Sequence, residues 1–317
     1  MAAITVSDLS KDYGEVLAND DVSFTVEEGE VFGYLGPNGA GKTTTIRTLM
    51  GFQSPTSGSA ELLGHDVRDE GELIAAKRRV GYLPGNPAFD EHVTGREILD
   101  LHAAVKGDER RAELLELFDP PLDRKVREYS SGNRQMLGLV QAFMHDPDLV
   151  VMDEPTSGLD PLKQQEFNAF VRREQREGTT VFMSSHILSE VRRVCDRVGI
   201  IRDGRLVTVE RVEDLLDRSG KFVHLRTTDR VDAADLRVDG VHDLDVRTME
   251  ADGSAPGGES ATDVDAATTI TEVTFTYTGD VNALLERIAA YDLLDLEVEE
   301  APLEEVFMRF YGGESDA

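Results

Sequence analysis

One nine-residue stretch constrains this chain more than any other: Gly36-Pro37-Asn38-Gly39-Ala40-Gly41-Lys42-Thr43-Thr44, which fits the pattern G-x-x-x-x-G-K-[ST]. It falls between an apolar run, Val31 to Leu35 (VFGYL), and a helix-like stretch beginning TTTIRTLM. Glycines let the backbone curl so that successive N–H groups point inward at phosphate oxygens, and a helix N-terminus adds partial positive charge. Lys42 is then placed to reach the β and γ phosphates, and the Thr43 hydroxyl to ligand Mg²⁺. A strand, a phosphate loop and a helix in that order imply a sheet flanked by helices.

The rest of the N-terminal two thirds agrees. Short apolar runs alternate with longer helix-like stretches to about residue 210. Val31 to Leu35, Leu149 to Asp153 (LVVMD) and Thr180 to Met183 (TVFM) are almost wholly apolar, as expected of parallel strands buried on both faces. Ile4 to Val6 and Val22 to Val26 alternate like antiparallel strands with one wet face, and GIIRDGRLV reads as a hairpin turning at Asp203-Gly204. Between about 88 and 147 the pattern becomes helical without a clear strand, which predicts a helical insertion.

Past residue 220 the composition shifts. Phe222 to Arg226, Asp243 to Met249 and Ile270 to Tyr277 read as strands, and ADGSAPGGESATDVDAA (251–267) as a mobile loop with little to bury. DVNALLERIAAYD and APLEEVFMRFYG read as amphipathic helices separated by the strand-like LLDLEVE. The expected division is therefore 1–218 and 219–317, the second part a small α+β domain.

The chain has 317 residues, with 62 Asp and Glu against 33 Lys and Arg, a formal net charge of −29. That balance argues against nucleic acid as a partner, because binding to phosphate backbones depends on clustered cations. Lysine occurs only seven times, at Lys11, Lys42, Lys77, Lys106, Lys125, Lys163 and Lys221. Acid excess with scarce lysine resembles proteins kept in molar salt, where a Debye length of about 3 Å screens self-repulsion. Cys195 stands alone, so no intramolecular disulfide forms; it reads as a small buried hydrophobe. No stretch reaches the roughly 18 to 20 apolar residues of a membrane helix and no signal segment opens the chain, so it is expected to be soluble. His224 and His242 are too isolated to suggest a metal site.

A second constellation completes the chemistry. Leu149 to Asp153 ends in Asp153-Glu154, and carboxylates at the C-terminal end of a buried strand lie beside the phosphate loop of an open α/β sheet. Asp153 would hold Mg²⁺ through water; Glu154 would polarise the water that attacks the γ-phosphate.

With both motifs in place, residues 3 to about 215 resemble the ATP-binding subunit of an ABC transporter. The resemblance implies the fold class: α/β, a P-loop NTPase mixed sheet with antiparallel N-terminal strands and a helical insertion, here followed by the small C-terminal α+β domain. It implies ATP and Mg²⁺ as ligands. In KDYGEVLA, Tyr13 matches the aromatic that stacks on adenine; His186, in SSH after TVFM, matches the switch histidine near the γ-phosphate; Asp160, in SGLD, matches the loop that contacts a second subunit.

Two motifs depart from that pattern. Where the signature reads L-S-G-G-Q, this chain has Tyr129-Ser130-Ser131-Gly132-Asn133, keeping Ser130 and Gly132 and shortening the terminal amide to Asn133. In GYLPGNPAFDEHVTGREIL, Gly85 stands where a Gln or Glu usually reaches Mg²⁺ and the attacking water. Either Asn86 substitutes or no side chain there touches the metal. The LPG and TGRE of that region, and the terminal LEEVFMRFYGG, resemble the ABC-2 type exporters.

The resemblance further implies a dimer, a homodimer or a pairing with a close relative, since each signature faces ATP held by another copy. It implies a membrane-spanning permease docked near Tyr82, Leu83, Pro87 and Phe89, and a peripheral position on the cytoplasmic face of the cell membrane. Two rival readings stand beside it: a soluble ABC-type ATPase acting outside transport, and a nucleotide-gated binding module with little turnover.

Overall fold

A computed structural model describes residues 1–236, 239–250 and 269–300. By internal contacts the chain divides into Met1–Val212 and Glu213–Ala317, six residues ahead of the boundary that composition suggests. Both the 251–267 segment and APLEEVFMRFYG lie outside the described residues.

The first unit opens with β1 (Ala2–Asp12) and β2 (Leu17–Glu27), an antiparallel pair. Both run longer than the apolar alternation alone suggests. In β2, buried Val22, Phe24 and Val26 alternate with exposed Asp21, Ser23 and Thr25, the period of a strand with one wet face. After β3 (Val31–Leu35) and α1 (Lys42–Leu49) the chain returns as β4 (Ser57–Leu62) and the two-residue β5 (His65–Asp66). These short polar strands carry no apolar alternation that sequence reading detects. They complete a separate four-stranded sheet in the order β2-β1-β4-β5.

Then follow α2 (Glu70–Lys77), β6 (Val80–Leu83), α3 (Gly95–Lys106), α4 (Arg111–Phe118), α5 (Ser131–Phe143), β7 (Leu149–Asp153), α6 (Pro161–Glu177), β8 (Thr180–Ser185), α7 (Leu188–Val194), β9 (Arg197–Arg202) and β10 (Arg205–Arg211). The larger sheet has the order β10-β9-β3-β8-β7-β6. Its strands β6, β7, β8, β3 and β9 are parallel, and β10 pairs antiparallel with β9 through the Asp203-Gly204 turn. Every residue of β3, β7 and β8 is buried, as their unbroken apolar runs require.

Between the two sheets lies an aromatic stack. Phe32 and Phe182 are nearly parallel with centroids 5.9 Å apart, and Phe24 packs 5.6 Å from Phe32 and 5.3 Å from Tyr34. Such offset pairs add to the area each ring buries and fix the smaller sheet over β3. The expected helical insertion is present as α3, α4 and α5. Thr94 opens α3 with a capping box closed by Glu97, so two helix-end donors are satisfied reciprocally. Phe170 of α6 takes Phe118 and Phe143 edge-on at 5.2 and 4.8 Å.

A histidine pair sits under the same helices. His102 of α3 and His145, just beyond α5, meet edge to face at 5.4 Å. Burial foremost, with Lys106 adding repulsion, pushes both rings from 6.5 down to about 4. The folded chain thus keeps them neutral where the unfolded chain protonates them, and the unfolded state binds more protons between pH 6.5 and about 4. Stability is expected to fall as pH drops through that window. Urea midpoints at pH 7 and pH 5 check it: the difference should shrink in His145→Phe, and an unchanged difference would exclude the pair as its source.

In the second unit, α8 (Val212–Ser219), across which the division falls, leads to β11 (Lys221–Thr227), α9 (Ala233–Leu236), β12 (Val241–Glu250), β13 (Thr269–Tyr277), α10 (Val281–Ile288) and β14 (Leu293–Glu300). The four strands form an antiparallel sheet in the order β12-β13-β11-β14. Val223, Leu225, Val273, Phe275, Leu284 and Ile288 make its core. His224 lies between Glu272, 2.7 Å from its Nε2, and Glu297, 3.7 Å from its Nδ1. Among the described residues no three His, Cys, Asp or Glu gather as a metal site.

Candidate active site

At the end of β3 the chain turns through the glycine-rich loop into α1. Gly41, the residue before the helix, has φ 105°, and a Cβ there would meet the Ala18 carbonyl oxygen at 2.4 Å. Only glycine fits both demands. Pro37, Asn38, Gly39, Gly41, Lys42, Thr43 and Thr44 line a cleft of about 420 Å³ with Val16, Leu17, Ala18, Glu154, Asp203 and Gly204. Gly36 and Ala40 do not line it. They shape the loop: the Gly36 carbonyl accepts from Lys42 Nζ at 2.6 Å, and the Ala40 carbonyl accepts from the Gly204 N–H at 3.1 Å.

The Lys42 ammonium also donates to the Pro37 carbonyl at 3.1 Å and lies 3.8 Å from Glu154 Oε1. Burial lowers its pKa, opposed by the charges of Glu154 and Asp153. Thr43 donates its hydroxyl to Asp153 Oδ2 at 2.9 Å, while Ser184 of β8 donates to Asp153 Oδ1. Asp153 is only 6% exposed, so both oxygens are held.

Glu154 leaves the strand in a left-handed conformation, φ 47°, with its N–H donating to Ser184 Oγ at 3.1 Å. A non-glycine residue held there marks a position where the surroundings override local preference. Its Oε1 lies 3.0 Å from His186 Nδ1. The two residues that sequence patterns gave as the reacting pair are thus in hydrogen-bond contact, beside the Lys42 ammonium.

Reading the sequence missed the residues that hold this pair. Glu190 of α7 accepts from Thr156 Oγ1 at 2.5 Å and from Ser185 Oγ at 2.7 Å, clamping the segment after Glu154 to the segment carrying His186. Gln135 of α5 donates to the Pro155 carbonyl at 2.8 Å. Asp203-Gly204 was legible as a turn but not as a cleft wall. A half-buried acid that meets two hydroxyl residues only in the fold has no short-range pattern, so nothing in the sequence marks Glu190.

The signature segment stands apart from this cleft. Ser130 caps α5, its hydroxyl accepting from the Asn133 N–H at 3.2 Å, and Ser130 and Ser131 are exposed. Gly132 touches the next loop of its own chain: a Cβ there would come within 2.8 Å of the Gly158 carbonyl. Asp160 caps α6, accepting from Leu162 and Lys163 N–H groups at 3.0 Å each. Its carboxylate is engaged within the chain.

Tyr13 also lies outside the cleft lining. It is 55% exposed, its hydroxyl donates to Gln53 at 2.6 Å, and the Lys11 ammonium sits 5.1 Å over its ring. Gln53 in turn donates to the Thr44 carbonyl at 2.9 Å, tying the ring to the phosphate loop. Gly85 lies against Asp153, where a Cβ would be 3.6 Å from its Cγ. Asn86 is exposed. Of the four residues expected in a docking groove, Tyr82, Pro87 and Phe89 line a second cleft, but Leu83 is wholly buried as core. Cys195 is buried and its thiol pushed up by burial, in keeping with a small hydrophobe.

A phosphate loop at the end of parallel strand β3, with an acid pair at the end of β7 two places along the same sheet, defines a nucleoside-triphosphate hydrolase of the P-loop class. Comparison with known proteins narrows the class. Residues 19–157 match the family described as ABC transporter. The chain is 36% identical over 252 residues to the bacitracin transport ATP-binding protein BcrA of Bacillus licheniformis, covering 77% of this chain and 81% of that one. It is 35% identical over 324 residues to the daunorubicin resistance ATP-binding protein DrrA3 of Streptomyces coeruleorubidus, covering 98% and 96%. A solved ATP-binding subunit of an ABC transporter matches with TM-score 0.61 and 33% identity over 67% of this chain and 91% of that one. The cassette MJ0796, a dimer in a post-hydrolysis state bound to ADP and Pi, shares the fold with TM-score 0.61 at 23% identity, covering 66% and 98%. The chain belongs to the ABC transporter ATP-binding family and is an ATP-binding, ATP-hydrolysing transporter subunit.

Proposed function

We propose that two copies of this chain, or one copy and a close relative, close head to tail on two ATP molecules and transmit that closure to a membrane-spanning permease. One observation carries the reading. Ser130, Gly132 and Asn133 stand at the N-terminus of α5, Ser130 exposed and the other two half-buried, yet none of them lines the cleft that Lys42 and Glu154 share. A helix start carries partial positive charge that favours an anion, and the anion is the γ-phosphate held by the other copy. ATP drives closure because it binds the closed pair better than the open one.

In each site the loop from Gly36 to Thr44 wraps the phosphates and Lys42 contacts the β and γ oxygens. Tyr13 stacks on adenine from outside the cleft, positioned through Gln53. Glu154 takes a proton from the attacking water as the bond between the γ-phosphorus and its bridging oxygen breaks toward ADP. His186 orients Glu154 and that water. Asp160 meets the second subunit as the cap of α6. Mg²⁺ suits the Thr43 hydroxyl and Asp153 carboxylate, hard oxygen donors 2.9 Å apart, and supplies charge neutralisation for the β and γ phosphates. Since Gly85 brings no side chain to Asp153, water fills that side, and Asn86 does not replace the missing amide.

The names of BcrA and DrrA3 support an exporter, and no described helix is long and apolar enough to cross a membrane, which supports a peripheral subunit on the cytoplasmic face. A charge of −29 with seven lysines supports a setting of molar salt.

Mixing two dead variants tests the pairing. Lys42→Ala lacks phosphate binding and Ser130→Phe blocks the signature; a mixed dimer still has one site with both parts intact. At equal amounts, ATPase in molar KCl is expected to recover to about a quarter of the wild-type rate, on the arithmetic of one intact site in half the dimers. Recovery that never exceeds the sum of the two variants alone would rule out sites shared between chains.

A further inference from the structure

Strand β2 breaks its own alternation beside the phosphate loop. Val22, Phe24 and Val26 face the core, so a regular strand would turn Asp20 inward and Asn19 out. Instead a step of two residues along β1, Leu9 to Lys11, is matched by a step of three along β2, Val22 to Asn19, and Asp21 takes a left-handed φ of 55°. The extra residue is a β-bulge, a device that re-aims a side chain, and here it aims Asn19 into the interior, where it is 0% exposed.

The amide meets the loop from behind. Asn19 Nδ2 donates to Thr45 Oγ1 at 3.1 Å and to the Gly41 carbonyl at 3.4 Å. Thr45 donates to the same carbonyl from its hydroxyl at 3.3 Å and from its N–H at 3.0 Å, and its Oγ1 lies 3.3 Å from the hydroxyl of buried Tyr34. One hydroxyl has one proton and two lone pairs, so donating to Gly41 while accepting from Asn19 and Tyr34 satisfies it. Asn19 Oδ1, by contrast, has no hydrogen-bond partner among the described residues. A buried acceptor left in that state costs stability that a leucine of similar shape would not. Turning the amide over gives no relief, since Oδ1 would then face the Gly41 carbonyl oxygen. Core packing therefore does not account for an asparagine here.

We propose that Asn19 is a positioning residue for nucleotide binding: with Thr45 it holds the peptide between Gly41 and Lys42 so that the Lys42 N–H faces the phosphates. That peptide is trans, and in a trans peptide the C=O and the N–H point opposite ways. Donors from Asn19 and Thr45 fasten the Gly41 carbonyl toward β2, which turns the Lys42 N–H away from β2, and Lys42 lines the cleft. Gly41, at φ 105°, would otherwise leave this peptide free to rotate; the two side chains remove that freedom before the nucleotide arrives. The fold gives up stability at Asn19 Oδ1 for a loop already set. The inference rests on reading Gly36 to Thr44 as the phosphate loop and adds the residue that sets it.

The test sets binding against stability in the full chain. ADP with Mg²⁺ is titrated calorimetrically in molar KCl, because it reports on the loop without turnover, and urea midpoints are taken without nucleotide. Asn19→Leu is expected to weaken ADP binding by roughly three- to tenfold, the worth of the hydrogen bonds removed, while its midpoint stays at or above that of the wild type. A merely structural asparagine would not move the two in opposite directions. Thr45→Val, which keeps the shape and removes the hydroxyl, is expected to weaken ADP binding as well. Combining the two should cost less than the product of the single losses, since both act on one carbonyl. An ADP affinity in Asn19→Leu within about twofold of wild type overturns the inference, as does a midpoint that falls together with affinity or a pair of losses that multiply in full. Lys42→Ala separates the two levels: if it loses ADP while Asn19→Leu does not, only the inference fails, and if it binds ADP as the wild type does, the phosphate-loop reading fails and the inference with it.

Discussion

ATP turnover by the Glu154→Gln variant is expected to drop by about 10²- to 10⁴-fold, the range for loss of a positioned general base. The amide fills the same space but cannot take a proton from water. ATP affinity should hold or improve, because Glu154 Oε1 lies 3.8 Å from Lys42 Nζ and its charge competes with the γ-phosphate for that amine. With binding kept and turnover stopped, dimers should accumulate in ATP and dissociate when it is withdrawn. Steady-state hydrolysis and light scattering in molar KCl check both halves. A rate within about threefold of wild type would move the base elsewhere and leave the contact between His186 and Glu154 without a catalytic meaning.

The second large effect is on stability. Glu174 of α6 is 0% exposed, and Arg110, at the start of α4, reaches it with Nη2 at 2.7 Å from Oε1. Arg110 also holds Glu113, which Arg173 joins, so the helical insertion is pinned to α6 by one charged cluster. The hydrogen bond to Glu174 is the main reason the guanidinium is held more firmly protonated than usual. Arg110→Leu leaves a carboxylate without its main counter-charge in the interior and is expected to destabilise the first unit by about 3–5 kcal/mol. The double variant Arg110→Leu, Glu174→Leu should recover most of that loss, since replacing both partners by apolar groups is often near neutral. Denaturation midpoints of the two variants decide it; equal losses would mean that Arg110 acts through packing rather than charge.

How much of this was legible beforehand follows from range. The phosphate loop is read from nine consecutive residues because its chemistry is local: glycines for the curl, Lys42 and Thr43 at fixed offsets. Parallel strands such as β7 and β8 announce themselves by unbroken apolar runs, since both faces are covered. By contrast β4, SGSAEL, has two buried residues and only Ala60 and Leu62 to show for it. Its existence depends on pairing with β1, and that partner is far away in sequence. The same holds for the site. Glu154 and His186 were found by their motifs, whereas Glu190, Gln135 and Gln53 act on groups brought near only by the fold. Tyr13 and Asp160 were expected at nucleotide and partner; what the fold displays is a link from Tyr13 to Gln53 and a helix cap at Asp160.

The contact between Gly132 and the Gly158 carbonyl ties two loops of one chain together. Gly158 lies in the loop that follows Glu154, and Gly132 stands in the first turn of α5. A Cβ on Gly132 would come within 2.8 Å of that carbonyl, so the loops stay this close only while position 132 carries no side chain. The glycine that survives from the signature is therefore a spacer inside the fold, and any side chain placed there has to push the loop after the acid pair away.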